Sequence, residues 1–234
     1  MTTRRDFLRK SALVIAAAPM INSEMIASSR PSKKTGLALY TIRDAMVKDP
    51  AAALAGAAET GYTWIEAADH RDGKFYGMKP KEFSKLVRKN GMVAISSHSG
   101  LNPENYEKMI DEAAEAGMKY IILPSLPGDW SNTIDGYQRA ADFFNRAGAK
   151  CRKAGITFGF HNHQVEFREI NGRVPYDILV EQSDPKLVIF EMDLAWISAA
   201  GKDPVAYFRK YPGRFEVWHL KDLTPEKQDA TLGE

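Results

Sequence analysis

The amino-acid sequence predicts an α/β protein of the TIM (β/α)8 barrel type, incomplete in that only seven strands can be read from it. Four helical stretches rich in Ala, Lys or Glu each end in a glycine that is followed by an apolar run. These units recur at a spacing of roughly 30 residues, which is typical of βα units and a parallel sheet. The segment after the first expected strand, LYTIRDAMVKD, contains no glycine. A doubly wound open sheet predicts a glycine-rich phosphate loop at that point, so the barrel is the better interpretation.

Four of the seven expected strands follow a glycine that closes a helix. These glycines are Gly61, Gly91, Gly117 and Gly155. Each glycine fits the left-handed residue at which a helix stops and the chain turns into a strand. Strands are therefore expected near Gly36–Thr41, Thr63–Ala67, Met92–Ser97, Tyr120–Pro124, Thr157–His163, Leu187–Asp193 and Phe215–Lys221.

The helices between these strands begin with recognisable signals. Asp49-Pro50, Asn102-Pro103 and Asp203-Pro204 each combine a capping side chain with a proline in the first turn. Helices are expected near Pro50–Thr60, Pro80–Asn90, Pro103–Ala116, Ile134–Ala154, Tyr176–Gln182 and Pro204–Lys210. The final segment, TPEKQDATLGE, does not read as an eighth strand. We therefore expect residues 35–234 to form a barrel domain without its C-terminal βα unit.

The first 34 residues differ in kind from the rest. Arg4-Arg5 precedes Phe7-Leu8, and an apolar stretch runs from Ala12 to Ile21. This order resembles a twin-arginine export signal; the alternatives are a basic amphipathic helix or an arginine pair arising by chance. We expect residues 1–34 to be a signal peptide and linker, and the protein to be exported to the periplasm by the twin-arginine translocase.

Composition excludes several other classes. The 234 residues are 44% hydrophobic and 26% charged, and the single cysteine, Cys151, excludes an internal disulfide framework. No apolar run approaches the roughly 20 residues of a membrane span. The first 34 residues carry seven positive and two negative side chains, so without them the net charge of +2 becomes −3. Such a domain is a poor nucleic-acid binder, because phosphates are neutralised by clustered Lys and Arg.

Polar residues sit at the carboxyl ends of five expected strands. Because strand residues alternate between faces, parity selects those that point into the barrel: Trp64 and Glu66, Ser96 and His98, His161 and His163, Glu191 and Asp193, His219 and Lys221. The carboxyl end is the catalytic face of such barrels. His161, Asp193 and His219 offer two imidazoles and a carboxylate, a common ligand set for Zn²⁺, Mn²⁺ or Fe²⁺. The alternative is a hydrogen-bonded polar plug that closes the barrel.

The motifs at these strands resemble those of the sugar phosphate isomerase/epimerase family, the xylose isomerase-like barrels. The resemblance covers Thr35–Leu223 and is carried by GLALYTIRD, YTWIEAA, SSHSG, FGFHNHQVEF, FEMDLAWISAAGKDP and FEVWHLKD. It implies one divalent metal, most often Mn²⁺, with Zn²⁺, Mg²⁺, Fe²⁺ or Co²⁺ as alternatives, held by Glu, Asp, His and Glu from strands five to eight. Asp193 and His219 match the middle two ligands. His161 stands where many relatives have the first Glu, and the last Glu belongs to the eighth strand.

The same resemblance implies an isomerase or epimerase that works through an enediolate, with a small carbohydrate as its partner. A lyase, dehydratase or 3-keto-glycoside-cleaving enzyme shares that intermediate. His163, Glu166 and Lys221 are the candidate catalytic groups, and His163 and Glu166 are the candidate bases. Candidate substrate contacts are Tyr40, Trp64, Glu66, His98 and Trp196, and Glu191 could orient a ligand. His70 is expected to lie in a solvated loop.

Export favours a non-phosphorylated sugar or keto-sugar, and the sequence has no glycine-rich phosphate cradle. A homo-oligomer is possible. A non-catalytic or degenerate sugar-binding barrel is the main rival from another class, because the eighth strand cannot be read. An apurinic endonuclease is disfavoured by five histidines and the net charge of −3.

Overall fold

The computed structural model of the protein describes residues 35–225 and 229–230. The expected signal peptide, residues 1–34, lies outside the described residues. Within the described part, no helix is both long enough and apolar enough to cross a membrane.

Seven parallel strands form one curved sheet in the order β1-β2-β5-β6-β7-β8-β9, which confirms the predicted α/β barrel-type architecture. These strands are β1 (Gly36–Ala38), β2 (Trp64–Ala67), β5 (Val93–His98), β6 (Tyr120–Leu123), β7 (Thr157–His161), β8 (Val188–Asp193) and β9 (Phe215–His219). Two small hairpins accompany the sheet, β3 (His70–Arg71) with β4 (Lys74–Phe75) and β10 (Asp222–Leu223) with β11 (Asp229–Ala230). Neighbouring strands place their carboxyl ends at one edge, since His161 pairs with Glu191 and Asp193 pairs with His219.

Eight helices of the described region connect these strands. They are α1 (Arg43–Lys48), α2 (Pro50–Glu59), α3 (Pro80–Lys89), α4 (Tyr106–Glu115), α5 (Ile134–Ala154), α6 (Pro175–Gln182), α7 (Leu194–Ala199) and α8 (Pro204–Lys210). The Asp49 carboxylate accepts the amides of the first turn of α2, and Asp203 does the same for α8, as the sequence predicts. Gly155 follows α5 with a φ of +77°, the left-handed conformation expected of a helix-closing glycine.

Two local predictions are wrong, and some short elements were not predicted. β1 ends at Ala38, and the chain continues as a 3₁₀ helix over Leu39–Ile42. The helix expected from Pro103 begins three residues later, because Asn102 uses its side chain to accept the amides of Glu104 and Asn105 in a turn. The short helices α1 and α7 and the two hairpins were not predicted.

The barrel has a large outer core and a small inner one. Outward-facing Phe158, Phe160 and Phe190 are fully buried beneath the helices, where Phe144 of α5 lies 5.0–5.2 Å from the first two rings. The inner core is an apolar layer of Tyr120, Ile122 and Ile189, with Ile95 and Val217 packed against it.

Gly159 completes this inner layer. A Cβ at this position would lie 2.5 Å from the Ile122 side chain and 3.2 Å from Ile189. The absence of a side chain therefore lets the two isoleucines fill the barrel interior. His161 lies two residues further along β7, so the inner core forms an apolar floor beneath the polar groups.

Candidate functional site

Polar side chains from five strands meet above the apolar floor at the carboxyl ends of the sheet. Three imidazoles form the centre: the rings of His98 and His161 lie 4.8 Å apart, those of His161 and His219 4.8 Å, and those of His98 and His219 5.1 Å. Two carboxylates, Glu66 and Glu191, are buried among these rings. The position of this cluster follows from strand alternation, since every member has the inward parity that the sequence assigns to it.

The two buried carboxylates contact the rings from below and form an inner layer of ion pairs. Glu191 Oε2 lies 2.7 Å from His98 Nε2, 2.9 Å from His161 Nδ1 and 3.4 Å from His219 Nε2. Glu66 Oε1 lies 2.7 Å from His219 Nε2 and 3.2 Å from His98 Nε2. The Ser96 hydroxyl donates a hydrogen bond to Glu66 Oε2 at 2.8 Å, so the Glu66 carboxylate is held on both sides.

The charges of this layer divide the histidines into two kinds. Burial alone would lower the pKa of His219, but the charges of Glu66 and Glu191 outweigh burial and raise it to about 9. The same balance raises the pKa of His98. Burial lowers the pKa of His161 well below its ordinary value, and the nearby His98 and His219 add to this effect. The carboxylates therefore favour the protonated form of both His98 and His219, and at neutral pH His219 must release a proton before it can act as a ligand. His161, in contrast, is a neutral imidazole able to donate a lone pair.

Asp193 lies on the outer side of the same rings. Its Oδ1 accepts the amides of Ala195 and Trp196, both at 3.0 Å, and so caps α7. Its Oδ2 is buried and lies 3.7 Å from His161 Nε2 and 3.9 Å from His219 Nδ1. Asp193 Oδ2 accepts no directed hydrogen bond from the described residues.

The donor set fits a divalent cation, and two ligand groups are available to it. One consists of His98, His161, Glu191 and His219, whose inner ligand atoms lie within 4.8 Å of one another. The other is the sequence-predicted group His161, Asp193 and His219, which uses the opposite nitrogen of each ring. The second group fits better, because the inner nitrogens already contact carboxylates at hydrogen-bond distances, whereas His161 Nε2 and His219 Nδ1 lie 3.7 and 3.9 Å from Asp193 Oδ2. The first group gives His98 a ligand role that sequence reasoning did not consider.

His163 and Glu166 follow the end of β7. The His163 ring is half-buried, 5.0 Å from the His161 ring and 5.8 Å from that of Trp196. Burial lowers the pKa of His163. Glu166 is buried, and its Oε2 accepts the His163 backbone amide at 2.7 Å. The structure thus brings His163 to the site and gives the Glu166 carboxylate a contact with the backbone; a catalytic role for either residue stays a prediction.

Lys221 and Trp196 lie at the rim. The Lys221 ammonium is 3.1 Å from Asp193 Oδ2 and 5.4 Å from the centre of the Trp196 indole ring. The other two aromatic candidates are Trp64, on β2, and Tyr40, in the 3₁₀ helix that follows β1. Trp64 is the first residue of β2, two residues below Glu66, which favours packing inside the barrel. Tyr40 is exposed in the 3₁₀ helix after β1, with the Arg43 guanidinium 4.6 Å above its ring.

The expectation that His70 is solvated is wrong. Its ring is buried and stacks on Phe75 at 4.1 Å. Nδ1 lies 2.8 Å from Ser99 Oγ, and Nε2 lies 2.9 Å from Glu112 Oε2. His70 therefore links the β3-β4 hairpin to Ser99, which directly follows β5, and to Glu112 of α4. The loop signal DHRDGK predicts a turn, but it carries no information about the helix that covers it.

A parallel α/β barrel sheet with histidines and carboxylates gathered at the carboxyl ends of its strands defines the class: a TIM-type barrel with a polar site that suits a metal ion. Within that class, the chain belongs to the xylose isomerase-like TIM barrel family, whose model matches residues 54–234. It is similar to the crystal structure of a sugar phosphate isomerase/epimerase from Parabacteroides distasonis ATCC 8503. The identity is 31%, the TM-score is 0.77, and the match covers 88% of this chain and 80% of that one.

Two further relatives are more distant. The inosose dehydratase of Geobacillus kaustophilus (strain HTA426) is 24% identical over 197 residues, which cover 71% of this chain and 59% of the relative. The chain therefore spans less than two thirds of the length of that curated protein. The D-psicose 3-epimerase of Clostridium cellulolyticum H10, solved with D-tagatose, is 15% identical and has a TM-score of 0.59 over 74% of this chain and 68% of that one. The latter likeness shows the fold alone.

Proposed function

We propose that this protein is a divalent-metal-dependent enzyme that removes a proton from the carbon beside the carbonyl of a non-phosphorylated sugar or keto-sugar. The observation that carries the proposal is the convergence of His161 Nε2, His219 Nδ1 and Asp193 Oδ2, a buried oxygen that accepts no directed hydrogen bond from the described residues. These three groups would hold the cation. When bound, a divalent cation polarises the oxygens of the substrate and makes the neighbouring C–H bond more acidic.

The chain's own residues supply the remaining requirements. Glu191 and Glu66 fix the orientation of the histidine rings from the inner side, as carboxylates behind metal-binding histidines do. The apolar floor lies below them, and the low polarity of such a layer strengthens each electrostatic contact. Trp196 presents an indole face at the rim, where the ring of a sugar can stack.

His163 is the proposed proton carrier. Its lowered pKa keeps the imidazole neutral at physiological pH, the form that can accept a proton. His163 would take the proton from the substrate carbon, and Lys221 would stabilise the negative charge that develops on the substrate oxygen. Return of the proton to another carbon or to the other face gives isomerisation or epimerisation, the outcome favoured by the Parabacteroides relative.

Dehydration is the second candidate outcome. It is favoured by the inosose dehydratase relative, and it needs the same proton abstraction followed by loss of a hydroxyl group from the next carbon. A protonated His163 could supply the proton that the departing hydroxyl requires. A non-phosphorylated substrate follows from the proposed export of the protein, which rests on the sequence of residues 1–34.

Metal analysis and isotope exchange test the proposal. Purified protein should contain or take up about one divalent ion per chain, and it should exchange the α-proton of keto-sugars and inososes with D₂O, as followed by NMR. Product analysis then separates epimerisation from dehydration. The Asp193→Asn variant is the negative control, because it keeps the helix-capping oxygen and removes the charge. A protein that binds sugar but neither binds metal nor exchanges the α-proton of the sugar would be a binding module and would overturn the proposal.

A further inference from the structure

One side chain already contacts the oxygen that the proposed metal site needs. The Lys221 ammonium lies 3.1 Å from Asp193 Oδ2, the same atom that faces His161 Nε2 and His219 Nδ1. The contact is within ion-pair distance, yet it lacks the alignment of a hydrogen bond. The pair is therefore an electrostatic contact rather than a fixed, directed one.

The two partners differ in their freedom to move. The Asp193 carboxylate is held by two amides at Oδ1, and its backbone amide donates to Asn162 Oδ1 at 3.0 Å. Oδ2 is therefore fixed in direction. Lys221 follows the end of β9, and its side chain is 32% exposed. It also contacts the Trp196 ring, so a long flexible stem meets a rigid anion.

We propose that Lys221 is an internal competitor for the cation at Asp193, so that cation binding displaces the ammonium from Oδ2 toward the substrate side of the pocket. This inference rests on the proposed function. A divalent ion on Oδ2 would lie beside the ammonium, and like charges at that distance repel. Asp193 cannot turn to satisfy both, because Oδ1 is committed to α7.

The consequence is a link between metal loading and substrate binding. As long as the ammonium is paired with Asp193, it is not available to a substrate oxygen. Once displaced, the ammonium would stay near Trp196 at the rim, within reach of an oxygen of a sugar bound there. Lys221 is thus a positioning residue whose location depends on the cation. Its ammonium becomes available to a substrate oxygen only after the metal has bound.

The experiment is a calorimetric titration of Mn²⁺ into the wild type, Lys221→Met and Lys202→Met. Removal of the competitor should tighten Mn²⁺ binding by Lys221→Met about tenfold, which is the scale of one partly buried ion pair. Lys202 is the matched control, since its side chain is 33% exposed and its ammonium lies 3.9 Å from Glu169, away from Asp193. Lys202→Met should bind Mn²⁺ like the wild type.

A second variant guards against misfolding. Lys221→Arg keeps the positive charge, so it should bind Mn²⁺ as weakly as the wild type or more weakly, whereas Lys221→Met binds tightly. Circular dichroism identifies any variant that is not folded. Equal Mn²⁺ affinity of the wild type and Lys221→Met would overturn this inference and leave the proposed function standing. Failure of both proteins to bind Mn²⁺ would overturn both.

Discussion

Glu191 holds His161 by the inner nitrogen of the ring: Glu191 Oε2 lies 2.9 Å from Nδ1, while Nε2 points outward to Asp193 Oδ2 at 3.7 Å. The same division occurs at His219, whose Nε2 contacts Glu66 and whose Nδ1 faces Asp193. Glu191 and Glu66 therefore orient the rings from the inner side. The outer nitrogens, His161 Nε2 and His219 Nδ1, are left for a ligand. This two-layer arrangement favours a metal site over a polar plug, because His161 Nε2, His219 Nδ1 and Asp193 Oδ2 converge without a directed hydrogen bond among them.

The first prediction separates the two possible ligand groups. If Asp193 is a ligand and Glu191 orients a ring, Asp193→Asn should abolish Mn²⁺ binding, and Glu191→Gln should weaken it about 10- to 100-fold. Calorimetry at one pH gives both affinities. Glu216→Gln is the control, because Glu216 is an exposed carboxylate of β9 that contacts Tyr120 rather than the histidines. The opposite order, with Glu191→Gln the more damaging change, would assign the metal to the inner cluster.

The second prediction concerns the two histidines of HNH. His161→Ala should abolish metal binding, because it removes the neutral imidazole of the site. His163→Ala should retain the metal and lose α-proton exchange, by about 100-fold or more if His163 carries the proton. Metal content and exchange of deuterium are measured on the same samples. Metal loss in His163→Ala with retention in His161→Ala would reverse the assignment.

Strand alternation accounts for what the sequence could predict of this site. Glu66, His98, His161, Asp193 and His219 have a fixed parity on short parallel strands, so their convergence follows once the fold is known. The seven strands themselves were recognisable as apolar runs, four of which follow a helix-closing glycine.

The depth and partner of a side chain were less accessible. Trp64 has the same parity as Glu66, but it begins its strand and therefore lies one layer lower. Glu166 was named as a candidate base, and one of its carboxylate oxygens accepts the backbone amide of His163, a contact that the sequence did not predict. Such contacts are decided by the local turn and by the packing of helices from distant parts of the chain, neither of which follows a period in the sequence.

The third prediction concerns the contacts through which His70 links the β3-β4 hairpin to Ser99 and Glu112. His70→Ala should lower the free energy of unfolding by about 2–4 kcal/mol, because it leaves the Ser99 hydroxyl and the Glu112 carboxylate without their partner and opens a cavity beside Phe75. Urea denaturation measures this loss. Mn²⁺ affinity should not change, since His70 contacts Ser99, Glu112 and Phe75 rather than the clustered histidines. A large fall in affinity with little loss of stability would instead make the hairpin part of the metal site.

The fourth prediction uses the pH dependence of stability at Glu166. Burial raises the pKa of this carboxyl group to about 7, and the amide of His163 offsets part of the effect. Because the unfolded chain releases this proton near its ordinary value of 4.5, the folded state holds the proton more tightly. Glu166 therefore costs little stability at pH 4.5, and its cost grows as the pH rises to 7 and is complete above it, reaching about 3 kcal/mol.

Glu166→Gln removes this cost because the amide stays neutral and its oxygen can still accept the His163 amide. The free energy of unfolding of Glu166→Gln should equal that of the wild type near pH 4.5 and exceed it by about 2–3 kcal/mol at pH 8. Glu169→Gln is the control, since that carboxylate is 60% exposed and should give no such trend. Urea denaturation across this pH range provides the measurement. A constant difference between Glu166→Gln and the wild type would mean that Glu166 ionises without cost, and loss of α-proton exchange in a stabilised Glu166→Gln would return it to the catalytic group.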